Sequence, residues 1–133
     1  MTPTATHIGI VEDSDEDFAA LARQIRRTSP DATGERWSRA EAVVDELVDR
    51  ETGLPDFFFI DLSLPGVDGC ELVRRLRAEE STGALPLFML SGSARDADVR
   101  RCYASGASVY LTKPLRQPAL GAVLELTAAT PRP

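Results

Sequence analysis

The sequence predicts a doubly wound α/β fold, a parallel sheet of five strands with helices packed on both of its faces. Three observations predict it. Short β-rich runs alternate in order with helix-period segments along the chain. The run Phe57-Phe58-Phe59-Ile60 is apolar without interruption, as expected of a strand buried on both faces of a parallel sheet. Nine Gly and nine Pro fall mostly where these segments end, so they punctuate the chain rather than mark low complexity.

The elements follow in order. His7-Ile8-Gly9-Ile10-Val11 is a short β-rich run that ends in acids. Ser14 or Asp15 can cap a first helix whose apolar stripe is Phe18, Leu21, Ala22 and Ile25, and Pro30 closes that segment. The second strand, around 32–38, is weak, with Trp37 its one large apolar residue; the alternation of elements is the main reason to place it. Ala40, Val43, Val44, Leu47 and Val48 share one face of a second helix, which Gly53 and Pro55 terminate. The phenylalanine-rich third strand ends at Asp61. After a loop with a turn-forming Pro65-Gly66 pair, a third helix carries Leu72, Val73 and Leu76. Pro86-Leu87-Phe88-Met89-Leu90 is the fourth strand, running into Ser91-Gly92. A helix over 94–105 is broken by Gly106, and 108–112 forms the fifth strand, stopped by Lys113-Pro114. The last helix carries Leu120, Val123, Leu124 and Leu126. Without a repeat or linker, one domain over 6–128 suffices, with 1–5 and 129–133 as tails and no room for an output domain.

Composition narrows the function. An apolar share of 43% and a charged share of 27% suit a soluble globular protein. The net charge of −6 argues against direct nucleic-acid binding, which needs a surplus of Lys and Arg. No apolar run approaches the ~20 residues needed to span a bilayer, and residues 1–6 lack the parts of a signal peptide, so a cytoplasmic protein without membrane insertion is expected. His7 is the single histidine and lies at the start of the first strand, which removes triad chemistry. Cys70 and Cys102 have neither metal-site nor redox-motif spacing and read as small packing residues.

In a parallel sheet of this kind, functional groups gather beyond the carboxyl ends of the strands. There the sequence delivers Glu12 and Asp13 from the first strand, Asp61 from the third, Ser91 from the fourth and Lys113 from the fifth. Singly, each has an ordinary explanation as a turn former, cap or solvated end. Packing does not account for their arrival together, because two carboxylates ~4 Å apart repel by on the order of 4 kcal/mol at an effective dielectric of 20. A hard divalent cation relieves that repulsion, and few oxygen ligands with room for water suit Mg²⁺, with Mn²⁺ as a substitute. Asp61 is a plausible nucleophile toward phosphorus. Lys113 and the Ser91 hydroxyl can cover phosphoryl oxygens during transfer.

At these residues the chain resembles the CheY-like receiver family of two-component signalling. The resemblance is carried by Val11-Glu12-Asp13, by Asp61-Leu62-Ser63-Leu64-Pro65-Gly66-Val67-Asp68-Gly69, by Leu90-Ser91-Gly92 and by Tyr110-Leu111-Thr112-Lys113-Pro114. Separations of 48 positions from Asp13 to Asp61, 30 from Asp61 to Ser91 and 22 from Ser91 to Lys113 are similar to the family's own. The resemblance implies a flavodoxin-like (βα)5 fold with strand order 2-1-3-4-5. It implies Asp61 as phosphoacceptor and Glu12, Asp13, Asp61 and the Ser63 backbone carbonyl as metal ligands, Glu12 reaching the ion through water. It also implies Ser91 and Tyr110 as a switch pair. Such a domain is a signalling phosphoacceptor rather than an enzyme acting on outside substrates.

As implied partners, a sensor histidine kinase or phosphotransfer protein would dock near Phe18 and Pro114. A downstream protein or a second copy would read the face of the fourth helix, fifth strand and last helix, including Arg95, Asp98, Arg101, Tyr110 and Arg116. The run Glu12-Asp13-Ser14-Asp15-Glu16-Asp17 is also similar to small regulators paired with bacterial phytochromes. Three rivals stand against this reading. A pseudo-receiver, binding proteins without taking phosphate, predicts the loss of a site residue, yet Asp13, Asp61, Ser91 and Lys113 are all present. A phosphatase resembling the haloacid dehalogenase family wants an Asp at position 63, which is Ser. A flavodoxin-like cofactor binder wants a phosphate loop where Glu12 to Glu16 would repel phosphate.

Overall fold

In the computed structural model, residues 6–47, 49–50 and 52–129 are described, the side chains of 128 and 129 excepted. The place given to Val48 on the second helix, and the two tails apart from residue 129, lie outside the described residues.

Ten elements alternate in the expected order. They are β1 (His7–Val11), α1 (Asp15–Thr28), β2 (Thr33–Trp37), α2 (Ala40–Leu47), β3 (Phe57–Asp61), α3 (Gly69–Ala78), β4 (Leu87–Ser91), α4 (Asp96–Ser105), β5 (Val109–Thr112) and α5 (Gln117–Ala129). All four strand pairings are parallel, in the order β2-β1-β3-β4-β5. The predicted fold class and strand order are therefore those observed. No helix among the described residues is long and apolar enough to cross a membrane.

The sheet divides the core in two, and the period-2 alternation of side chains explains the division. Phe58, Ile60 and Met89 face α2 and α3 with Val43, Leu47, Leu72 and Val73, whereas Ile8, Ile10, Phe57, Phe59 and Phe88 face α1 and α5 with Leu21, Leu120 and Val123. All of β3 is buried, as its unbroken apolar run predicts. Gly9 is required beside it, because a Cβ there would fall 2.4 Å from the Phe58 ring. The weak β2 pairs with β1 along its length and buries one side chain. Trp37 is 4% exposed and stacks at a tilt on Phe58, with ring centroids 5.7 Å apart.

Element ends have local causes. Ser14 caps α1 by accepting from Asp17 N–H at 3.1 Å, and Asp68 caps α3 by accepting from Glu71 N–H at 3.0 Å. The fourth helix starts at Asp96 rather than at 94, because the Ser93 hydroxyl accepts from Arg95 N–H at 3.2 Å and Arg95 stays extended. Gly106 ends it in the left-handed region, with φ of 110°. In α5, Leu126 departs from its expected place on the packed stripe and is 60% exposed. That helix is apolar on most sides, so its periodicity did not single out a buried face.

Candidate phosphoacceptor and metal site

Strand register carries the site residues to one rim. Val11 pairs with Ile60, Asp61 with Leu90 and Ser91 with Thr112, so the carboxyl ends of four strands lie level. The ladder runs one step past two of them: Glu12 N–H donates to the Trp37 carbonyl at 3.0 Å and Lys113 N–H to the Ser91 carbonyl at 2.8 Å. Glu12 and Lys113 thus leave the sheet on hydrogen-bonded backbone. The Lys113–Pro114 peptide is cis.

Glu12, Asp13 and Asp61 each offer a carboxylate oxygen, and these oxygens lie within 4.8 Å of one another. Glu12 and Asp61 are buried, while Asp13 is exposed at the mouth of the cluster. Lys113 reaches in from the other side. Its ammonium donates to Glu12 Oε1 at 2.6 Å and to Asp17 Oδ2 at 2.9 Å, and lies 3.4 Å from Asp61 Oδ1. Burial pushes the Glu12 carboxyl up to about 7; the Lys113 hydrogen bond offsets part of that and Asp61 adds to it. Burial disfavours the Lys113 charge, but its bonds to Glu12 and Asp17 and the charge of Asp61 prevail and raise it above the ordinary lysine range.

The remaining predicted residues sit around this group. Ser63 N–H donates to Asp61 Oδ1 at 3.3 Å, fixing one carboxylate oxygen. Gly69 packs tightly behind Asp61: a Cβ there would fall 2.3 Å from the Asp61 carbonyl oxygen. Ser91 is buried at the end of β4, and its hydroxyl accepts from Ser93 N–H at 3.0 Å. Tyr110 is half-buried and donates its hydroxyl to the Ser93 carbonyl at 2.6 Å. Ser91 and Tyr110 are therefore both tied to Ser93. The Ser93 hydroxyl donates in turn to Asp98 Oδ2 at 2.7 Å, which anchors the start of α4.

Two further sites of the sequence reading resolve differently. Arg101 is paired with Asp68 of α3 at 2.8 Å, whereas Arg95 and Arg116 are exposed. Phe18 is half-buried beneath the Arg36 guanidinium, 4.6 Å from its ring centroid. A groove of about 340 Å³ runs between α1 and Pro114, lined by Asp17, Ala20, Leu21, Gln24, Lys113 and Leu115; Phe18 is not part of its lining.

Sequence reasoning missed the part of Asp17, the second acid on Lys113. Three acids open α1, and all three equally suit the positive end of a helix. Only the fold shows which one meets the lysine.

The donor set fits a hard divalent cation. It offers carboxylate oxygens only, and two of the three acids are buried.

The model of the response regulator receiver domain family matches residues 8–125 of the chain. The KDP operon transcriptional regulatory protein KdpE of Escherichia coli (strain K12) is 34% identical over 109 residues, 82% of this chain and 45% of that protein. The phosphate regulon transcriptional regulatory protein PhoB of Rhizobium meliloti (strain 1021) is 43% identical over 67 residues, 50% of this chain and 30% of that protein. The chain thus spans less than half the length of these two relatives. Among solved structures, the receiver domain of the sensor histidine kinase PA1611 from Pseudomonas aeruginosa PAO1 superposes with a TM-score of 0.82. It is 22% identical, the match covers 96% of this chain and all of that one, and it was solved with a magnesium ion coordinated in its active-site cleft.

Proposed function

We propose, since this chain belongs to the response regulator receiver domain family, that it accepts a phosphoryl group on Asp61 from a sensor histidine kinase or a phosphotransfer protein. The observation that carries the reading is the set of three carboxylates within 4.8 Å, with the Lys113 ammonium 3.4 Å from the proposed acceptor. Glu12, Asp13, Asp61 and the backbone carbonyl of Ser63 would hold Mg²⁺, or Mn²⁺ in its place. Bound there, the ion supplies positive charge that neutralises the acids and screens one phosphoryl oxygen.

The chain's own residues do the rest. The Ser63 N–H holds one Asp61 oxygen and leaves the other to attack phosphorus, forming an acyl phosphate as the bond to the donor breaks. Lys113, charged across the physiological range, is placed to bond an equatorial phosphoryl oxygen once it turns from Glu12 and Asp17. The Ser91 hydroxyl would exchange Ser93 N–H for another phosphoryl oxygen, and that exchange would disturb the 91–93 loop which Tyr110 and Asp98 grip. The state so favoured would present the α4–β5–α5 face to a partner or a second copy. The groove between α1 and Pro114 supports docking of the phosphodonor, and the acidic opening of α1 favours a bacterial phytochrome as the sensor.

The test is incubation with acetyl phosphate and Mg²⁺ followed by intact mass and peptide mapping. Gain of one phosphoryl group at Asp61 supports the reading; no gain, with folded protein, leaves the chain as a protein-binding module that takes no phosphate.

A pH dependence follows from Glu12. Its carboxyl ordinarily titrates near 4.5 and in the fold near 7, so between these values the folded chain holds more protons than the unfolded one. Without metal, stability contributed by this group is present below that window and is lost as pH rises through it. Metal binding needs the carboxylate, so the Mg²⁺-induced rise in Tm should be slight at about pH 5.5 and full by about pH 8. Thermal melts with and without Mg²⁺ measure it; an equal rise at both pH values would remove Glu12 from the site.

A further inference from the structure

Cys70 and Cys102 stand 32 positions apart in the chain, yet the fold brings their sulfurs to 2.8 Å inside the core. Neither thiol has a role in the chemistry at Asp61. Cys70 is the second residue of α3 and Cys102 lies in the last turns of α4. The two helices are held in register by the Arg101–Asp68 ion pair at 2.8 Å and by Arg74 donating to the Ser105 hydroxyl at 3.4 Å. Closing the sulfurs to the ~2.05 Å of a disulfide asks for less than ~1 Å of movement between elements that already pack together.

We propose that Cys70 and Cys102 are a modification site, a dithiol that a hydroperoxide converts to a reversible disulfide joining the start of α3 to the end of α4.

The two sulfurs are not equivalent. Burial and the neighbouring Cys70 sulfur push the Cys102 thiol up to about 12, so Cys102 keeps its proton. The Arg101 guanidinium interacts electrostatically with both sulfurs. Cys70 is therefore the attacking sulfur. It gives up its proton and takes the distal oxygen of the peroxide; the O–O bond breaks, and the departing oxygen leaves with that proton as an alcohol, or as water when the peroxide is hydrogen peroxide. Cys70 is then a sulfenic acid. The Cys102 sulfur next attacks the Cys70 sulfur, the S–O bond breaks, and the hydroxide leaves with the Cys102 proton as a molecule of water. The two thiols lose two electrons and the peroxide gains them. Both residues are buried, so the oxidant enters through local openings and the reaction is slow. The bridge would stiffen the support of the site rim, since Gly69, the neighbour of Cys70, packs directly on the Asp61 backbone. The proposal itself does not depend on Asp61 taking phosphate.

The experiment treats folded protein with hydrogen peroxide, removes the oxidant, then unfolds the chain to alkylate any free thiol, and reads intact mass and peptide maps without reductant. The expected product is a monomer lighter by two hydrogens, resistant to alkylation, with a Cys70–Cys102 cross-linked peptide that dithiothreitol releases. In Cys102→Ser, Cys70 should instead gain oxygen without cross-linking. The proposal is overturned if both thiols of the folded wild-type chain remain alkylatable. It is also overturned if each gains oxygen separately, if the bridges join different chains, or if the link forms only after unfolding in urea.

Discussion

Asp61→Asn should abolish acetyl-phosphate-dependent labelling while leaving the fold intact. The amide of Asn is not a nucleophile toward phosphorus, and it keeps the shape of the carboxylate and an oxygen able to accept from Ser63 N–H. The substitution also takes one negative charge from a cluster whose members repel, so folding should not suffer. Intact mass after acetyl phosphate and Mg²⁺ should show no added phosphoryl group, and far-UV circular dichroism should match wild type. Labelling of the variant at another residue, to the extent seen in wild type, would show that the acceptor lies elsewhere.

Lys113→Met should produce the next largest effect, in two separable ways. The first is on the metal-free fold. Lys113 bonds Glu12 and Asp17 and lies 3.4 Å from Asp61, so its loss leaves the buried Glu12 carboxylate without its cation and with the Ser14 N–H at 3.3 Å as its remaining donor, at a cost of about 2 kcal/mol. The cost should shrink as pH falls, because Glu12 can take a proton instead. The second is on phosphoryl transfer, where losing one donor to the developing charge should slow labelling by about 10²-fold. Urea unfolding at two pH values and the initial rate of labelling measure the two separately. A variant with wild-type rate would show that the ammonium serves only to pair Glu12.

The sequence foretold those parts of the molecule in which one residue type at one position has one physical use. Phe57 to Ile60 could be read as a strand buried on both faces because nothing polar interrupts it, and both core layers do receive these side chains. The rim could be read because Glu12, Asp13, Asp61, Ser91 and Lys113 each close a strand, and level strand ends bring them together. What stayed hidden was pairwise and three-dimensional. The bonds of Lys113 to Glu12 and Asp17 are one case. Arg101 pairs with Asp68, a partner 33 positions away that no spacing rule links to it. Leu126 is exposed on α5, a helix apolar on most sides, where periodicity does not single out a buried face. The two cysteines were read as packing residues. They are buried as that reading expects, but their contact depends on how α3 meets α4.

Mg²⁺ titration of the wild-type chain beside Asp13→Asn, followed by calorimetry or by the fluorescence of Trp37, reaches the central claim most directly. That claim is that the acids at the sheet rim are held together to bind a cation. The expected result is one ion per wild-type chain and affinity weaker by about tenfold or more in the variant, equivalent to at least ~1.4 kcal/mol. Wild-type protein that binds no Mg²⁺ at about pH 8, or an Asp13→Asn variant that binds it equally well, would contradict the account.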